Sequence, residues 1–327
     1  MATSTKQTVE HLRYLQSMPL DVKIKLTQQR IREWVRAFGE NSVYVSFSGG
    51  KDSTVLLDIV RGLYPGVPAV FVDTGLEYPE IRKFVKSVDN VIWLKPSMPF
   101  NEVINKYGYP VFSKETAYNI EYGRSALKRG DQRSVDRHFY GVRVKDNETY
   151  TFNPLSRKAL DVALNTDIKV SEKCCRVMKK APIKSFEKET DRKPFIATMT
   201  EESKVRETVW LQNGCNAFDS KRQVSTPMSF WTEQDVLRYI YTRSLRYANE
   251  VYGDIVSDCG GLLKTTGVSR TGCMFCMFGV HREPRPNRFE RMKHTHPRQW
   301  DYCINKLGCG AVLDYIGVAY GKEEEAE

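Results

Sequence analysis

The sequence predicts an α/β protein: a doubly wound, mostly parallel sheet with helices on both faces, and a Cys- and Arg-rich module after it. Three observations predict this. Short apolar runs at 43–47, 69–72 and 91–94 alternate with helical stretches, which is the pattern of a parallel sheet covered on both sides. A Gly-rich turn joins the first run to the helix after it, where open α/β sheets bind ligands. Most of the cysteines and much of the excess positive charge fall outside this alternation.

The elements follow in order. Residues 1–42 read as helical, because Ile31, Trp34, Val35 and Phe38 share one helix face. Gly39 is placed to end that helix. After the 43–47 strand comes an apolar helix over 54–60, then a strand at 69–72, a helix over 80–88 and a strand at 91–94. Residues 113–170 are polar, basic and Gly-interrupted, and read as an insertion over the sheet. Alternation resumes with a helix at 174–190, a strand at 195–199 and a helix at 232–243. Thr232 and Asp235 have the spacing of a capping box, with Asp in place of Glu. The expected divisions are a helical segment over 1–42, a sheet domain over 43–250, a Cys-rich module over 251–320 and a frayed acidic tail over 321–327.

The composition limits the possible functions. The 327 residues are 41% hydrophobic, which excludes wholesale disorder and fibrous repeats. No apolar run reaches about 18 residues, so no membrane span is expected. The first residues lack an apolar signal region, so a cytoplasmic location is expected. Thiols there stay reduced, and eight cysteines then point to metal, cluster or catalytic sulfur. The formal charge is +10, with net +5 at 122–145 and net +4 at 281–298. Tyr122, Phe139, Tyr140, Phe289 and Trp300 lie in or beside these segments. Basic groups with stacking rings suit a flexible or single-stranded nucleic acid; a solvated helix face plus a nucleotide-anchoring loop is the other reading.

The turn itself is Ser48-Gly49-Gly50-Lys51-Asp52-Ser53. Its glycines let the backbone approach an anion, and the helix N-terminus supplies N–H donors. Ser48 and Ser53 add hydroxyls, Lys51 a charge, and Asp52 a carboxylate for Mg²⁺. It is not a Walker A loop, which needs a further Gly five residues before the Gly-Lys pair. Asp73, after the second strand, is placed to hydrogen-bond a ribose or ligate Mg²⁺, and Arg206 to clamp a phosphate or sulfate. Trp231 reads as core.

The turn resembles the PP-loop of N-type ATP pyrophosphatases. Val72-Asp73-Thr74-Gly75-Leu76-Glu77-Tyr78-Pro79-Glu80 is similar to the second signature of the phosphoadenosine phosphosulfate reductase family. Glu202-Ser203-Lys204-Val205-Arg206 resembles that family's Glu-Ser-x-x-Arg element. Pro227-Met-Ser-Phe-Trp231-Thr-Glu-Gln-Asp235-Val resembles its Pro-x-x-x-Trp-Thr-x-x-Asp-Val stretch. The resemblance covers roughly 43–243. It implies a Rossmannoid fold of the adenine nucleotide alpha hydrolase-like type. It also implies an adenine nucleotide, either ATP or an adenosine phosphosulfate, bound by residues 48–53, Asp73 and Gly75.

Cys174-Cys175 followed by Cys273-Met-Phe-Cys276 resembles the [4Fe–4S] ligand set of the family's adenosine-phosphosulfate branch. Three readings stay open from the residues. One is a cluster on these four, or with Cys303 or Cys259 in place of one of the tandem pair Cys174-Cys175. Another is zinc on Cys273, Cys276 and two of Cys259, His281, His294, His296, Cys303 and Cys309. The third is inert thiols. Cys215 reads as a small buried residue. The C-terminal Glu-Cys-Gly-Leu-His element of the family's sulfonucleotide reductases does not occur in this sequence. The leading expectation is therefore ATP-dependent sulfur transfer to tRNA or DNA, with Lys51, Asp52 and Arg206 catalytic and a separate sulfur-donor protein. The alternatives are a sulfonucleotide reductase, with Cys303 or Cys309 as nucleophile, and a non-catalytic nucleotide-binding subunit.

Overall fold

In β1 (Val43–Ser46) the side chains alternate between two buried faces. Val43 and Val45 join one large apolar cluster, and Tyr44 joins a second, smaller one with Val70 and Phe186. A strand buried on both faces needs helices on both, which is what the apolar runs required. The computed structural model describes residues 7–321. The other strands are β2 (Ala69–Val72), β3 (Val91–Leu94), β4 (Val142–Lys145), β5 (Glu148–Thr151), β6 (Lys193–Ile196), β7 (Asn216–Ala217), β8 (Val224–Ser225), β9 (Ile255–Ser257) and β10 (Leu263–Thr265).

The chain forms two compact units. The first comprises Met1–Asp73, Glu77–Lys95 and Pro182–Thr271. It holds the six-stranded sheet, ordered β3-β2-β1-β6-β8-β7, which is parallel except for the β7–β8 pair. The fold is the α/β class expected. From β1 the chain moves to β2 and β3 on one side, then returns to β6 on the other. The strand order thus reverses between β1 and β6, the switch point at which such sheets bind ligands.

The helices of this unit run close to their expected spans. The segment read as helical before 42 forms Val9–Ser17 and Leu20–Phe38, with Gly39 at φ 85° behind them. Ile31, Trp34 and Val35 are buried, and Phe38 meets the Trp34 ring edge-on. The helix after the Gly-rich turn is Lys51–Leu63. The Thr232–Asp235 capping box is present at Glu233–Arg243. Trp231 is core, donating its indole N–H to Thr27 Oγ1 at 2.9 Å. The acidic residues 322–327 and the first six residues lie outside the described part.

The second unit comprises Thr74–Leu76, Pro96–Ala181 and Gly272–Glu327. The stretch 113–170, read as an insertion, is well structured within it. It forms helices Lys114–Lys128, Gln132–Phe139 and Arg157–Asn165 and the β4–β5 hairpin. Gly123 sits where the first two helices touch, and a Cβ there would collide with the Phe139 ring. Gly123→Ala is expected to destabilise the protein by up to about 2 kcal/mol. Overpacking costs about 1–3 kcal/mol, and the gain in helix propensity returns roughly 1 kcal/mol. Denaturant titration measures it, and an unchanged midpoint would show that the helix pair yields freely.

Candidate functional site: a phosphate loop and a four-cysteine cavity

The 48–53 loop caps the helix Lys51–Leu63 at the carboxyl end of β1. Gly49 has φ 72°, and a Cβ there would lie 2.7 Å from Val85 and 2.8 Å from Ile81. Only glycine meets both demands. At Gly50 a Cβ would come within 3.1 Å of Tyr252 Oη and 3.2 Å of Ser48 Oγ. The Ser48 and Ser53 hydroxyls are 3.1 Å apart. Ser53 and Thr54 both donate to Gly50 O, at 3.0 and 2.9 Å. The turn is thus rigid, with the Lys51 N–H at its tip donating to Tyr252 Oη at 3.3 Å.

The Lys51 side chain is 4% exposed, with its ammonium 3.3 Å from Asp52 Oδ1 and 3.2 Å from Glu233 Oε1. Burial alone would lower its pKa; the two carboxylates outweigh burial and the net shift is upward. Asp52 Oδ1 is buried with no hydrogen-bond partner among the described residues, so its link to Lys51 is an ion pair without hydrogen-bond geometry. That orphaned oxygen fits a cation arriving with phosphates. Asp73 is buried at the end of β2 and accepts from Arg82 Nη2 at 2.8 Å. Gly75 belongs to the second unit and adopts φ 76°.

Arg206 does not directly follow a strand as expected. It lies in the first turn of helix Lys204–Asn213, capped by Ser203, with its guanidinium paired to Glu202. Arg270 reaches the other Glu202 oxygen at 3.6 Å. Burial and Arg270 both depress the Arg206 pKa, and Asp52 opposes them. Arg206 thus stands within electrostatic reach of the Gly-rich loop, at the switch point between β1 and β6.

In the second unit Cys174, Cys175, Cys273 and Cys276 line one cavity, together with Leu76, Phe100 and Lys179. Cys174 Sγ donates to Cys175 Sγ at 4.0 Å. This bond pushes the Cys174 thiol pKa up and lowers that of Cys175 to about 6, helped by Lys114, Lys179 and Lys180. Burial raises the Cys276 pKa, and an N–H of Phe278 and the charge of Arg288 oppose it. A widened π-turn, Arg176–Lys180, directly follows the tandem pair. Such turns recur at functional sites.

The zinc reading needs three or more ligands converging on a point, and among the described residues no such group of His, Cys, Asp and Glu exists. The same absence bears on a cluster: the four thiols line one cavity and match the donor type of a [4Fe–4S] site, but among the described residues they do not converge as a ligand group. Cys303 and Cys309 are fully buried and hydrogen-bonded to each other. Cys259 is exposed between β9 and β10. Cys215 is buried as expected, accepting from Trp210 Nε1 at 3.4 Å.

Comparison with known proteins now bears on the site. Residues 42–155 match the model of the phosphoadenosine phosphosulfate reductase domain. That match covers part of the chain, residues 42–155 of 327. An uncharacterised protein of Methanocaldococcus jannaschii is 36% identical over 92 residues, which is 27% of this chain and 18% of that protein's length. A second uncharacterised protein of that organism matches over 74 residues, likewise 18% of its length. The adenosine 5′-phosphosulfate reductase of Geobacillus thermodenitrificans is 24% identical over 232 residues, 71% of this chain and 76% of its own. The phosphoadenylyl-sulfate reductase structure from Candida auris, a phosphate complex, aligns with 79% of this chain and 99% of its own, at 16% identity and a TM-score of 0.39.

The sequence motifs mark the loop but not its protein-side partners. Glu202 and Glu233 stood inside the quoted motifs and were not singled out. Tyr252 and Thr271 carry no sequence signal, because tertiary folding alone brings them to the loop. The basic segments also change meaning. Arg124 donates to the carbonyls of Val162, Ala163, Thr166 and Ile168, ending helix Arg157–Asn165. Phe139 is buried and is no stacking platform. In 281–298, Arg285 pairs with Glu290, Arg288 with Glu283, and Lys293 binds Gly321 O. Among the described residues, no helix is long and apolar enough to cross a membrane.

Proposed function

We propose that the protein is an adenylating sulfurtransferase that acts on a nucleic acid. The observation that carries this over reduction is the burial of Cys303 and Cys309, both 0% exposed. A reductase nucleophile must reach the sulfur of its substrate, and these thiols face only protein. ATP would lie over the 48–53 loop, with Ser48, Gly49, Gly50 and Ser53 presenting backbone and hydroxyl donors to its phosphates. Asp73 would face the ribose. An acceptor oxygen attacks the α-phosphorus, the bond to the β-phosphate oxygen breaks, and pyrophosphate leaves. Lys51 and Arg206 hold the charge that develops, and Asp52 receives Mg²⁺. Sulfide supplied by a partner then bonds to the acceptor carbon, the carbon–oxygen bond breaks, and AMP leaves with that oxygen. A [4Fe–4S] cluster held by Cys174, Cys175, Cys273 and Cys276 would supply a site for sulfur or electrons. For the acceptor, the 114–152 surface offers the exposed Tyr118–Tyr122 pair, centroids 4.2 Å apart, with Tyr140, Tyr150 and Phe152 also exposed. Such rings stack on unpaired bases.

Sulfonucleotide reduction is the second reading, favoured by the 24% identity to an adenosine 5′-phosphosulfate reductase over 232 residues. One experiment separates the two. Anaerobically purified protein is given ATP with single-stranded RNA or DNA, and in parallel adenosine phosphosulfate with a thiol reductant. Pyrophosphate and AMP are expected from the first mixture. Sulfite from the second, with no pyrophosphate from the first, overturns the proposal.

A further inference from the structure

Lys51 has two groups that would bind a phosphate, its N–H and its ammonium, and the protein engages both. The N–H donates to Tyr252 Oη at 3.3 Å, and Tyr252 Oη lies 2.7 Å from Thr271 Oγ1. The ammonium lies 3.2 Å from Glu233 Oε1.

Glu233 is held at a fixed helix end. Its N–H donates to Glu201 Oε2 at 2.8 Å, and Asp235 in the same turn pairs with the buried Lys23 at 2.6 Å. Its side chain, in contrast, is 41% exposed and has room to swing into solvent. Charge at the site is balanced: Lys51, Arg206 and Arg270 stand against Asp52, Glu202 and Glu233. An anion entering here meets no net positive field until one carboxylate moves. Of the three, Glu202 is held by two arginines and Asp52 is fixed in the loop.

We propose that Glu233 is a built-in oxyanion surrogate: its carboxylate fills the phosphate seat on Lys51 in the free protein, and the entering phosphate must displace it. Glu233 thereby sets the threshold that an entering phosphate must overcome. A ligand carrying several charges, such as a nucleoside triphosphate or pyrophosphate, replaces one carboxylate with gain. A monophosphate exchanges nearly charge for charge and gains little. Tyr252 assists as a positioning residue, holding the Lys51 N–H until a phosphate oxygen takes it.

The inference rests on reading the 48–53 loop as the phosphate site, and the test keeps the two apart. Binding of pyrophosphate, ATP, AMP and adenosine is measured by calorimetry, with and without Mg²⁺, for the full chain and its Glu233→Gln, Glu233→Asp and Lys51→Gln variants. Glu233→Gln is expected to bind pyrophosphate and ATP roughly ten-fold more tightly, since one repelling charge is gone. AMP should tighten by a similar or smaller factor, because it carries less charge to be repelled, and adenosine should be unchanged. Glu233→Asp, which keeps the charge, should stay near the parent. A purely structural role would move adenosine as well. Unchanged or weaker pyrophosphate binding by Glu233→Gln overturns the proposal. So does weakening confined to the Mg²⁺ arm, which would make Glu233 a metal ligand. Equal pyrophosphate binding by the parent and Lys51→Gln overturns the phosphate-loop reading itself.

Discussion

Replacing Lys51 by Gln is expected to lower kcat/KM for the nucleotide about 10²–10³-fold, or roughly 3–4 kcal/mol of transition-state stabilisation. The size follows from where the ammonium lies. Its side chain is 4% exposed at the tip of a rigid loop, so its field on a phosphate is little screened by water. Its pKa is shifted upward against burial by Asp52 and Glu233, so it stays charged through neutral pH and its contribution should be flat there. The stability cost should be about 1–2 kcal/mol, because Glu233 is 41% exposed and can rehydrate, whereas the buried Asp52 Oδ1 is left without its cation. Steady-state kinetics in whichever assay the parent supports, beside a thermal melt, separates the two effects. A kcat/KM within about three-fold of the parent would remove Lys51 from the site.

The sheet was legible in the sequence because its strands are short apolar runs bounded by turns. β2 and β3 fall on the residues expected, and β1 ends one residue early. The second unit was not, because its helices bury small residues such as Ala117, Gly123 and Ala126 against one another, which blurs an apolar stripe. Its hairpin turns on Asp146 and Asn147, both at positive φ, a two-residue connection of the kind Asn-Gly signals more openly. The loop Ser48-Gly49-Gly50-Lys51-Asp52-Ser53 was legible because its chemistry is contiguous. Its surroundings were not, because Tyr252 and Thr271 reach it from about 200 residues away in the chain.

Counting charge misleads for a related reason. A tally treats each Arg as solvent-facing, yet Arg124 caps a helix and Arg288 donates to the carbonyl of Cys276 at 3.0 Å. Arg288 of the basic 281–298 segment therefore helps build the cysteine loop, while Arg285 and Lys293 are engaged elsewhere. The nucleic-acid reading then leans on 114–152, where exposed rings and positive charge coincide.

That same cationic framework underlies the second large effect. Cys276→Ser is expected to abolish iron and acid-labile sulfide in anaerobically purified protein. Serine keeps the shape but loses the thiolate that an iron–sulfur cluster requires. The cost should exceed one ligand's share, because Arg288 and the Phe278 N–H are arranged around the sulfur and such outer partners tune affinity as the ligands do. Cys175→Ser should behave likewise, since Lys114, Lys179 and Lys180 favour its thiolate. Cys259→Ser and Cys303→Ser are the controls, the first exposed and the second buried against Cys309 rather than lining the cavity. Both should retain the parent's iron. Because metal binding stabilises whatever folds around it, the parent should also melt at a higher temperature with its cluster than after chelation, and Cys276→Ser should melt at the lower temperature in either case. Iron retained by Cys276→Ser but lost by Cys303→Ser would move the ligand set to the other cysteines. Zinc at one per chain in the parent, with no iron, would replace the cluster with a single ion that the four cavity thiols would have to rearrange to hold.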